Sequence, residues 1–515
     1  MKPELFRSLK GYRREYLISD LMAGLMVAII ALPLSIALGL QSGATLQTGI
    51  ITAIVAGFFI SLLGGSRFQI GGPTAAFVVI ILGYLSDPQI GFTGLAIAGI
   101  AAGALLIIMG VLKAGGLVRY IPYPIVIGFT TGIGITLLTG QLKDLLGLSL
   151  PAGTGSEFIH KIAAYATNIS TMNIWTTVVG IITIALIYLI PRISKKIPAA
   201  FCAIIIATLI TMAIEAITGG AGIATIGSTY GNVKAEFRFI DLRGIASVNF
   251  GKLVVPAIII AFLCAIESLL SATVADGMTG SEHNPNQELI GQGVANIASA
   301  LCCGLPATGA IARTAAGINN GAKSPLTGVF HAIFLLVMYV VLMPVVRYIP
   351  LTGLAAILIT VSIHMANFRV FARLATFGVR DSIVLVVTCL LTVFFDLTYG
   401  VIGGFVLCTL INLGNILHPA RIAEEQAVNG GIIARIEGKV CFMSINRLHD
   451  YAAKKAAEHD CVTLDLGKVD RIDVTSAERL AKLEKKLMAK GKKLALANSA
   501  AAVEKRYNRF VNEIL

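Results

Sequence analysis

The sequence predicts an α-helical polytopic membrane protein with fourteen transmembrane segments, arranged as an inverted repeat of seven plus seven, and a small α/β cytoplasmic domain. Hydrophobic residues form 56% of the 515 residues and charged residues only 13%, whereas a soluble domain carries about 25% charged residues. Apolar runs of about 20 residues, the length of a helix that crosses a bilayer, recur from Asp20 to His418. A pentapeptide that occurs in both halves of this region indicates the repeat.

Each predicted span is an apolar segment bounded by polar or turn-forming residues. The third and tenth of them are short and interrupted by Gly and Pro. The fourteen segments are residues 20–40, 46–63, 68–85, 91–112, 121–139, 173–191, 199–219, 253–275, 287–303, 305–321, 325–346, 350–366, 382–396 and 398–417.

These segments divide the chain into five parts. Basic residues in the N-terminal stretch, together with Arg421 after the last span, predict that both termini are cytoplasmic, because Lys and Arg concentrate in cytoplasmic loops. The parts are residues 1–19, a cytoplasmic N-terminal segment; 20–219, the first membrane repeat; 220–252, an extracytoplasmic loop; 253–418, the second membrane repeat; and 428–515, the cytoplasmic domain.

The pentapeptide VRYIP supports the inverted repeat. It occurs at Val118–Pro122, where the fifth span begins, and at Val346–Pro350, where the twelfth begins. These copies lie seven spans apart and enter from opposite faces, as an inverted repeat requires. Gly72-Pro73 in the third span and Leu305-Pro306 in the tenth match at a similar offset. Chance recurrence in a biased composition is the alternative interpretation.

The third and tenth spans predict a ligand site. The segment FQIGGPTAAFVVI predicts a short extended piece, a Gly-Gly-Pro break and a helix from about Thr74. The segment GLPATGAIARTAAG predicts the same arrangement, with a helix starting near Ala310. Two helix starts that face each other would present free backbone N–H groups to an anion. The alternative is that Gly and Pro only kink packed membrane helices.

Two ionisable residues lie within predicted spans near these breaks. Arg313 follows the tenth-span break by about one turn, where the helix dipole opposes a cation and desolvation costs on the order of several kcal/mol. An anion or a carboxylate would offset this cost, unless the side chain reaches the headgroups instead. Glu267, mid-way through the eighth span, is the predicted partner. Burial favours its neutral form, so Glu267 could carry a coupling proton, with hydroxyls of Ser268 and Ser271 nearby. A purely structural ion pair with Arg313 is the alternative.

Composition and motifs exclude several classes of function. The net charge of +13 falls largely between membrane spans, which predicts topology and no binding of nucleic acid. No nucleophile–base set and no cluster with metal-ligand spacing is present in the sequence. We therefore expect no enzyme activity, no cofactor and no metal.

The motifs resemble those of the SulP (sulfate permease) family of anion transporters. The resemblance covers nearly the whole chain. It rests on DLMAGLMVAIIALPLSIALG at 20–39, GGSRFQIGGPTAAFVVII at 64–81, AIESLLSATVADGMTG at 265–280 and GLPATGAIARTAAGINNGAKSPLTG at 304–328.

The resemblance implies a core-plus-gate fold and an elevator-type transport cycle. It places a small anion between the starts of the third and tenth spans, beside the first span. The implied substrate-binding residues are Pro33, Leu34, Leu38, Gly72, Pro73, Thr74, Ala75, Gly309, Ala310, Ile311, Ala312 and Arg313.

The resemblance also bears on coupling. Sodium-coupled bicarbonate members of the family look to have Asp and Thr at the positions of Glu267 and Ser271, and Thr at that of Ile311. Because this chain lacks much of that set of oxygen ligands, coupling to protons through Glu267 is favoured over coupling to sodium. The substrate is left open among sulfate, bicarbonate and C4-dicarboxylates.

The C-terminal part reads as strand, loop, helix and strand, and resembles the STAS domain that follows SulP membrane regions. Thr475 is a plausible N-cap for its helix. The usual Asp-Ser-Ser/Thr-Gly loop is Asp473-Val474-Thr475-Ser476-Ala477 here. Val474 stands where Ser is commonly phosphorylated, so Asp473 and Thr475 are the candidate regulatory residues.

The sequence thus predicts a secondary active transporter in the inner membrane of a bacterium. The expected partners are the small anion, protons, the lipid bilayer, a second copy of the chain, as the resemblance implies, and a possible cytoplasmic protein bound by the STAS domain. A nucleobase–proton symporter of the same architecture is one alternative, although Arg313 speaks against it. An anion exchanger or a membrane-tethered sensor is another.

Overall fold

The computed structural model describes residues 2–513 except 152–157, 195–196, 232–233, 242–248, 396, 429–430, 470 and 489–490. The described chain forms two compact units. The first comprises Met1–Val118 and Ile135–His364, and the second comprises Arg119–Gly134 and Met365–Leu515. The predicted extracytoplasmic loop at 220–252 lies partly outside the described residues.

Helices dominate the first predicted repeat. Its elements are α1 (Glu4–Ser8), α2 (Arg14–Gln41), α3 (Leu46–Leu63), β1 (Gly71–Gly72), α4 (Ala75–Ser86), α5 (Gly91–Val111), a 3-10 helix (Ala114–Tyr120), α6 (Tyr123–Leu146), α7 (Phe158–Thr167), a 3-10 turn (Ile169–Thr171), α8 (Ile174–Ile193), α9 (Ala199–Thr218) and α10 (Ile226–Tyr230).

The second predicted repeat follows the same plan. Its elements are α11 (Phe250–Thr279), α12 (Pro285–Leu301), β2 (Thr308–Gly309), α13 (Ile311–Asn319), α14 (Leu326–Val346), α15 (Leu351–Ala366), α16 (Phe368–Ala375), α17 (Val379–Phe394), α18 (Leu397–Ile411) and α19 (Leu413–Ile416). In both halves a short strand precedes a short helix, at the third and tenth predicted spans.

Nine helices in the described part of the chain are long and apolar enough to cross a membrane. They are α2, α3, α5, α6, α8, α9, α11, α14 and the continuous stretch Leu351–Ala375. Helix α4 and residues Tyr399–Ile411 are apolar but shorter. The count of fourteen spans therefore stays a prediction.

The helices of the first unit pack in symmetric pairs. Helix α2 packs against α14, and its counterpart α11 packs against α5, while α3 packs against α12. Pairing of equivalent helices in this way is what an inverted repeat produces. Side-chain caps fix several helix starts: Thr45 caps α3, Asn249 caps α11 and Asn284 caps α12.

The C-terminal part of the second unit, from Arg421 onward, forms a four-stranded sheet with three helices in the described residues. Strands β3 (Arg421–Val428) and β4 (Gly431–Glu437) are antiparallel, whereas β4, β5 (Cys461–Lys468) and β6 (Lys493–Ala497) are parallel, in the order β3-β4-β5-β6. The helices are α20 (Ile445–Glu458), α21 (Val474–Met488) and α22 (Ala501–Glu513).

One apolar core runs through this second unit. It joins residues of the sheet and its helices to apolar side chains of the predicted membrane region, including Ile127, Phe377 and Leu385. The rings of Tyr123 and Phe377 each lie edge-on to Phe510 of α22. The C-terminal domain is therefore packed against the start of α6 and the α16–α17 turn.

Candidate functional site

Strands β1 and β2 form an antiparallel pair at the centre of the first unit. Gly71 pairs with Gly309, and Gly72 pairs with Thr308. The Ala310 N–H also donates to the Ile70 carbonyl, 3.0 Å away. Because each strand runs directly into a helix start, this pairing brings the N-termini of α4 and α13 together. The predicted starts near Thr74 and Ala310 are confirmed to within one residue.

The two prolines of the predicted breaks are not equivalent. Pro73 directly precedes Thr74, the N-cap of α4, whereas Pro306 lies four residues before Ala310, the N-cap of α13. The strand Thr308–Gly309 occupies the extra residues. The sequence match of Gly72-Pro73 with Leu305-Pro306 is therefore wrong by several residues, although the two interrupted spans themselves correspond.

Neither helix start is capped by a side chain. Ala310 has no polar side-chain atom, and Thr74, which could cap α4, makes no such hydrogen bond. The Thr74 hydroxyl instead donates to Glu267 Oε2, 2.8 Å away. The first N–H groups of a helix have no partner within the helix, so the two starts together form a region of positive potential that favours an anion.

Arg313 is fully buried beneath this region. Its side chain is 1% exposed; Nη1 donates to the Gly71 carbonyl at 3.1 Å and Nη2 donates to Ser35 Oγ at 3.0 Å. The Nε–H has no hydrogen-bond partner among the described residues. The charge is therefore held by neutral acceptors, which compensate only part of its desolvation.

Gly72 makes room for the guanidinium. Its φ of 154° lies in the region that favours glycine. A Cβ built there would overlap Arg313 Nη1 and lie 2.9 Å from Cζ. Any other residue at this position would displace the guanidinium or the strand.

The expected pairing of Arg313 with Glu267 is wrong. Within the described residues no carboxylate lies within 4.0 Å of the Arg313 nitrogens, and the Glu267 side chain is half-buried and bonded to Thr74. The reason is direction: Arg313 extends toward β1 and α2, whereas Glu267 extends toward the tip of α4. The two charged groups thus have separate hydrogen-bond partners.

The two serines predicted near Glu267 have separate partners. Ser268 is fully buried, where its Oγ donates to Glu288 Oε1 at 2.9 Å and accepts from Gln69 Nε2 at 2.7 Å. The Ser271 hydroxyl lies 3.5 Å from Thr314 Oγ1, beside α13. Neither of these hydroxyls is hydrogen-bonded to Glu267 in the described structure.

The remaining predicted residues differ in exposure. Ile311 and Ala312 at the start of α13 are exposed, while Leu34 of α2 and Thr74 are half-buried. The buried residues of this set are Pro33, Leu38, Gly72, Pro73, Ala75, Gly309 and Ala310.

Sequence reasoning missed four buried polar residues around the site. Ser35 holds Arg313, Gln69 and Glu288 bind Ser268, and His331 of α14 is fully buried with both ring nitrogens unpartnered among the described residues. Glu288 and His331 each lie inside or beside an apolar run, which was a usable signal. Ser35 and Gln69 carried none.

The candidate regulatory residues lie at the start of α21. Asp473 Oδ1 accepts from the Ser476 N–H and Oδ2 from the Phe442 N–H, both at 2.7 Å, so Asp473, and not Thr475, caps the helix. Thr475 is 3% exposed, and its Oγ1 accepts from the Tyr123 N–H at 3.0 Å. The predicted capping role of Thr475 is therefore wrong, and its hydroxyl binds the first residue of α6.

This architecture, with two helix starts joined by a strand pair in a helical membrane region and a C-terminal α/β domain, defines a class of membrane transporter. The sequence profile of the sulfate permease family matches residues 17–388, and that of the STAS domain matches residues 423–511. The chain belongs to the sulfate permease family.

Several relatives match along most of their length. "Putative sulfate transporter YvdB" of Bacillus subtilis is 36% identical over 489 residues, covering 91% of this chain and 89% of that protein. "Bicarbonate transporter BicA" of Picosynechococcus is 28% identical, covering 98% of this chain and 91% of that protein.

Solved structures agree with the fold. The transmembrane domain of a cyanobacterial bicarbonate transporter BicA superposes with a TM-score of 0.66 at 28% identity, covering 76% of this chain and 98% of that one. SLC26A9 superposes with a TM-score of 0.71 at 18% identity, covering 98% and 89%. The protein is an anion transporter of this family, and not an enzyme.

Proposed function

We propose that this protein is a proton-coupled symporter of a small anion that works by an elevator mechanism. The observation that carries the proposal is the meeting of two uncapped helix starts above a buried guanidinium. The anion binds between the starts of α4 and α13, next to the exposed Ile311 and Ala312. Backbone N–H groups bind it directly, as at other helix N-termini.

Arg313 adds long-range electrostatic stabilisation. Two neutral acceptors hold its charge, and its Nε–H has no partner among the described residues. In a low-dielectric site an anion a few ångströms away offsets much of the cost of burying this cation. Removing the charge therefore weakens anion binding even if the guanidinium makes no direct contact.

Glu267 is the proposed proton carrier. Its carboxylate is half-buried in α11 and accepts from Thr74, the residue that begins α4. Protonation of Glu267 changes a charge at the edge of the anion site, so the proton and the anion influence each other's binding. A fixed negative charge beside the site disfavours an anion, and a proton removes that charge.

The proposed substrate is sulfate, bicarbonate or a C4-dicarboxylate. The relatives named as sulfate and bicarbonate transporters support the first two. The transporter lies in the bacterial inner membrane with both termini in the cytoplasm and works as a homodimer, and its STAS domain binds a cytoplasmic partner. These four statements rest on the family resemblance and on the positive-inside pattern of the sequence.

Flux through purified protein in liposomes tests the proposal. We expect uptake of labelled sulfate, bicarbonate or succinate that increases when the outside is more acidic than the inside. Uptake of uracil without anion uptake would favour a nucleobase symporter, which the anion-transporting relatives do not support. Anion exchange without net uptake, or binding without flux, would contradict symport and favour an exchanger or a sensor.

A further inference from the structure

A fully buried carboxylate lies next to the proposed anion site without taking part in it. Glu288, in the first turn of α12, is fully buried. Its Oε2 accepts from the N–H groups of Gly65 and Ser66, at 2.9 and 3.1 Å. Its Oε1 accepts from Gln69 Nε2, Ser268 Oγ and Gln292 Nε2, each at 2.9 Å.

The Glu288 carboxylate is compensated by neutral donors alone. In the described part of the chain, no Lys, Arg or His nitrogen lies within 4.0 Å of its oxygens, and five hydrogen bonds surround it. Burial of a carboxylate is costly unless its hydrogen-bonding capacity is satisfied. Hydrogen bonds to an ionised group are also stronger than neutral ones. These five hydrogen bonds therefore hold the side chains of Gln69, Ser268 and Gln292 in place around the carboxylate.

The first of these donors, Gln69, is connected to the paired strands β1 and β2. The Gln69 amide also donates to the Ser268 carbonyl at 3.1 Å, and it fills the space where a Gly309 side chain would lie. Ile70, the next residue, accepts from the Ala310 N–H and donates to Thr314 Oγ1. Glu288 thus holds the segment that carries the pairing of β1 with β2.

The second donor, Ser268, is adjacent in the chain to Glu267, the proposed proton carrier. Ser268 directly follows Glu267 in α11, and the Glu267 carboxylate accepts from Thr74 at the start of α4. A shift of Ser268 would move this turn of α11 relative to the helix start. The same carboxylate therefore holds both the anion site and the residue beside it.

We infer that Glu288 is a positioning residue for transport, which sets anion affinity through Gln69 and Ser268 without touching the anion. The inference rests on the proposed function, since it places the anion between α4 and α13. The buried carboxylate in α12 thus aligns the starts of α4 and α13, which belong to other segments of the chain.

Glu288→Gln tests the inference with little change of shape. The oxygen of the introduced amide can accept from the Gly65 and Ser66 N–H groups. The NH₂ group of the same amide then faces the Gln69 NH₂ group and the Ser268 hydroxyl. Donors then oppose donors, and turning the Gln69 amide over would place its oxygen against the Ser268 carbonyl instead, so neither orientation keeps the contacts that hold Gln69 behind Gly309. We expect KM for the transported anion to rise about tenfold or more, with Vmax per folded transporter within about threefold of wild type.

Gln69→Ala tests the same contact from the other side. It removes the amide that Glu288 holds and leaves the carboxylate bonded to Gly65, Ser66, Ser268 and Gln292. If Glu288 acts through Gln69, KM rises about tenfold or more in Gln69→Ala, and adding Glu288→Gln raises KM by less than about threefold further. The matched control is Glu215→Gln, which alters a carboxylate that accepts the Ala221 and Ile223 N–H groups, and its KM should be unchanged.

Uptake of labelled sulfate and bicarbonate in liposomes and the thermal midpoint are measured for each variant. Wild-type KM in Glu288→Gln, a lower midpoint with unchanged KM, or effects of the two substitutions on KM that simply multiply would each overturn the inference. If Glu288→Gln does not fold, Gln69→Ala decides: a KM raised about tenfold or more supports the inference, and a wild-type KM contradicts it. Absence of uptake by wild-type protein would contradict the proposed function and this inference together.

Discussion

The central residue, Arg313, is a full positive charge that is buried with hydroxyl and carbonyl acceptors and no carboxylate within 4.0 Å in the described structure. Such a cation is costly in a protein interior unless another charge compensates it. A transporter that binds and releases an anion needs an incomplete compensation of this kind, because a permanent carboxylate partner would compete with the substrate. The separation of Glu267 from Arg313 leaves the charge available.

Glu267→Gln should uncouple transport from the proton gradient. The amide keeps an oxygen that accepts from the Thr74 hydroxyl, so the helix start stays in place, but the side chain no longer binds a proton. We expect anion exchange between the two sides of liposomes to continue, while an imposed pH gradient no longer drives accumulation. Gradient-driven accumulation at the wild-type level would remove Glu267 from the coupling step.

Gly72→Ala should abolish anion binding. Its Cβ would overlap the Arg313 guanidinium, and the φ of 154° disfavours any residue other than glycine. The matched control is Gly83→Ala in α4, where no atom lies within 4 Å of the added carbon, so a gain of about 0.5–1 kcal/mol is expected. The thermal midpoint with and without anion measures both effects. An anion-dependent shift in Gly72→Ala equal to wild type would contradict this geometry.

The elements of the site are two short helices that depend on their neighbours for alignment. Helix α13 has nine residues and α4 twelve, lengths at which an isolated helix is marginal. The β1–β2 pairing fixes their starts, and the Thr74–Glu267 hydrogen bond ties α4 to α11. Of these two contacts, only the Thr74–Glu267 hydrogen bond can be removed by replacing one side chain, because the β1–β2 pairing is made by the backbone.

Thr74→Val should weaken the link between α4 and α11. The loss leaves the Glu267 carboxylate without its hydrogen-bond donor, at a cost of about 1–3 kcal/mol. We expect a higher KM and a changed dependence of uptake on the pH gradient, whereas Thr74→Ser, which keeps the hydroxyl, should behave as wild type. Initial uptake rates at a series of anion concentrations and gradients distinguish the two variants. An equal KM and an equal dependence on the pH gradient in Thr74→Val and Thr74→Ser would show that the Thr74 hydroxyl is dispensable.

The sequence predicted these elements better than it predicted their contacts. The helix starts at Ala75 and Ile311 followed from local signals, since Gly and Pro placed close together, as in these two segments, disfavour a continuous helix. The contacts of Gln69 with Ser268 and Glu288 join residues that lie 199 and 219 positions apart, and no local pattern contains them. The wrong pairing of Arg313 with Glu267 has the same origin, because depth along a span does not fix the direction of a side chain.

At the scale of the whole molecule, the C-terminal domain shares a core with part of the predicted membrane region. The Tyr123 N–H donates to Thr475 Oγ1, Arg509 donates to the carbonyl and hydroxyl of Thr376, and Phe510 packs on Phe377. A change in the domain therefore reaches the first turn of α6 directly. A substitution at this contact therefore tests whether the domain influences transport.

Thr475→Glu, which imitates a phosphorylated residue, should disturb this packing. The position is 3% exposed, and a buried charge without a partner is strongly unfavourable. We expect a lower thermal midpoint and altered uptake, while Thr475→Ser keeps the acceptor for the Tyr123 N–H and should resemble wild type. A midpoint and uptake rate of Thr475→Glu equal to those of Thr475→Ser would exclude Thr475 as a control point.

The dissociation constant of the transported anion from Arg313→Ala, compared with wild type and Arg313→Lys, tests the central claim most directly. Thermal stabilisation of the purified protein by sulfate and bicarbonate, titrated for each variant, provides this constant. The account predicts at least about tenfold weaker binding in Arg313→Ala, a loss of about 1.4 kcal/mol or more, and partial retention in Arg313→Lys. Wild-type affinity in a folded Arg313→Ala variant would contradict it.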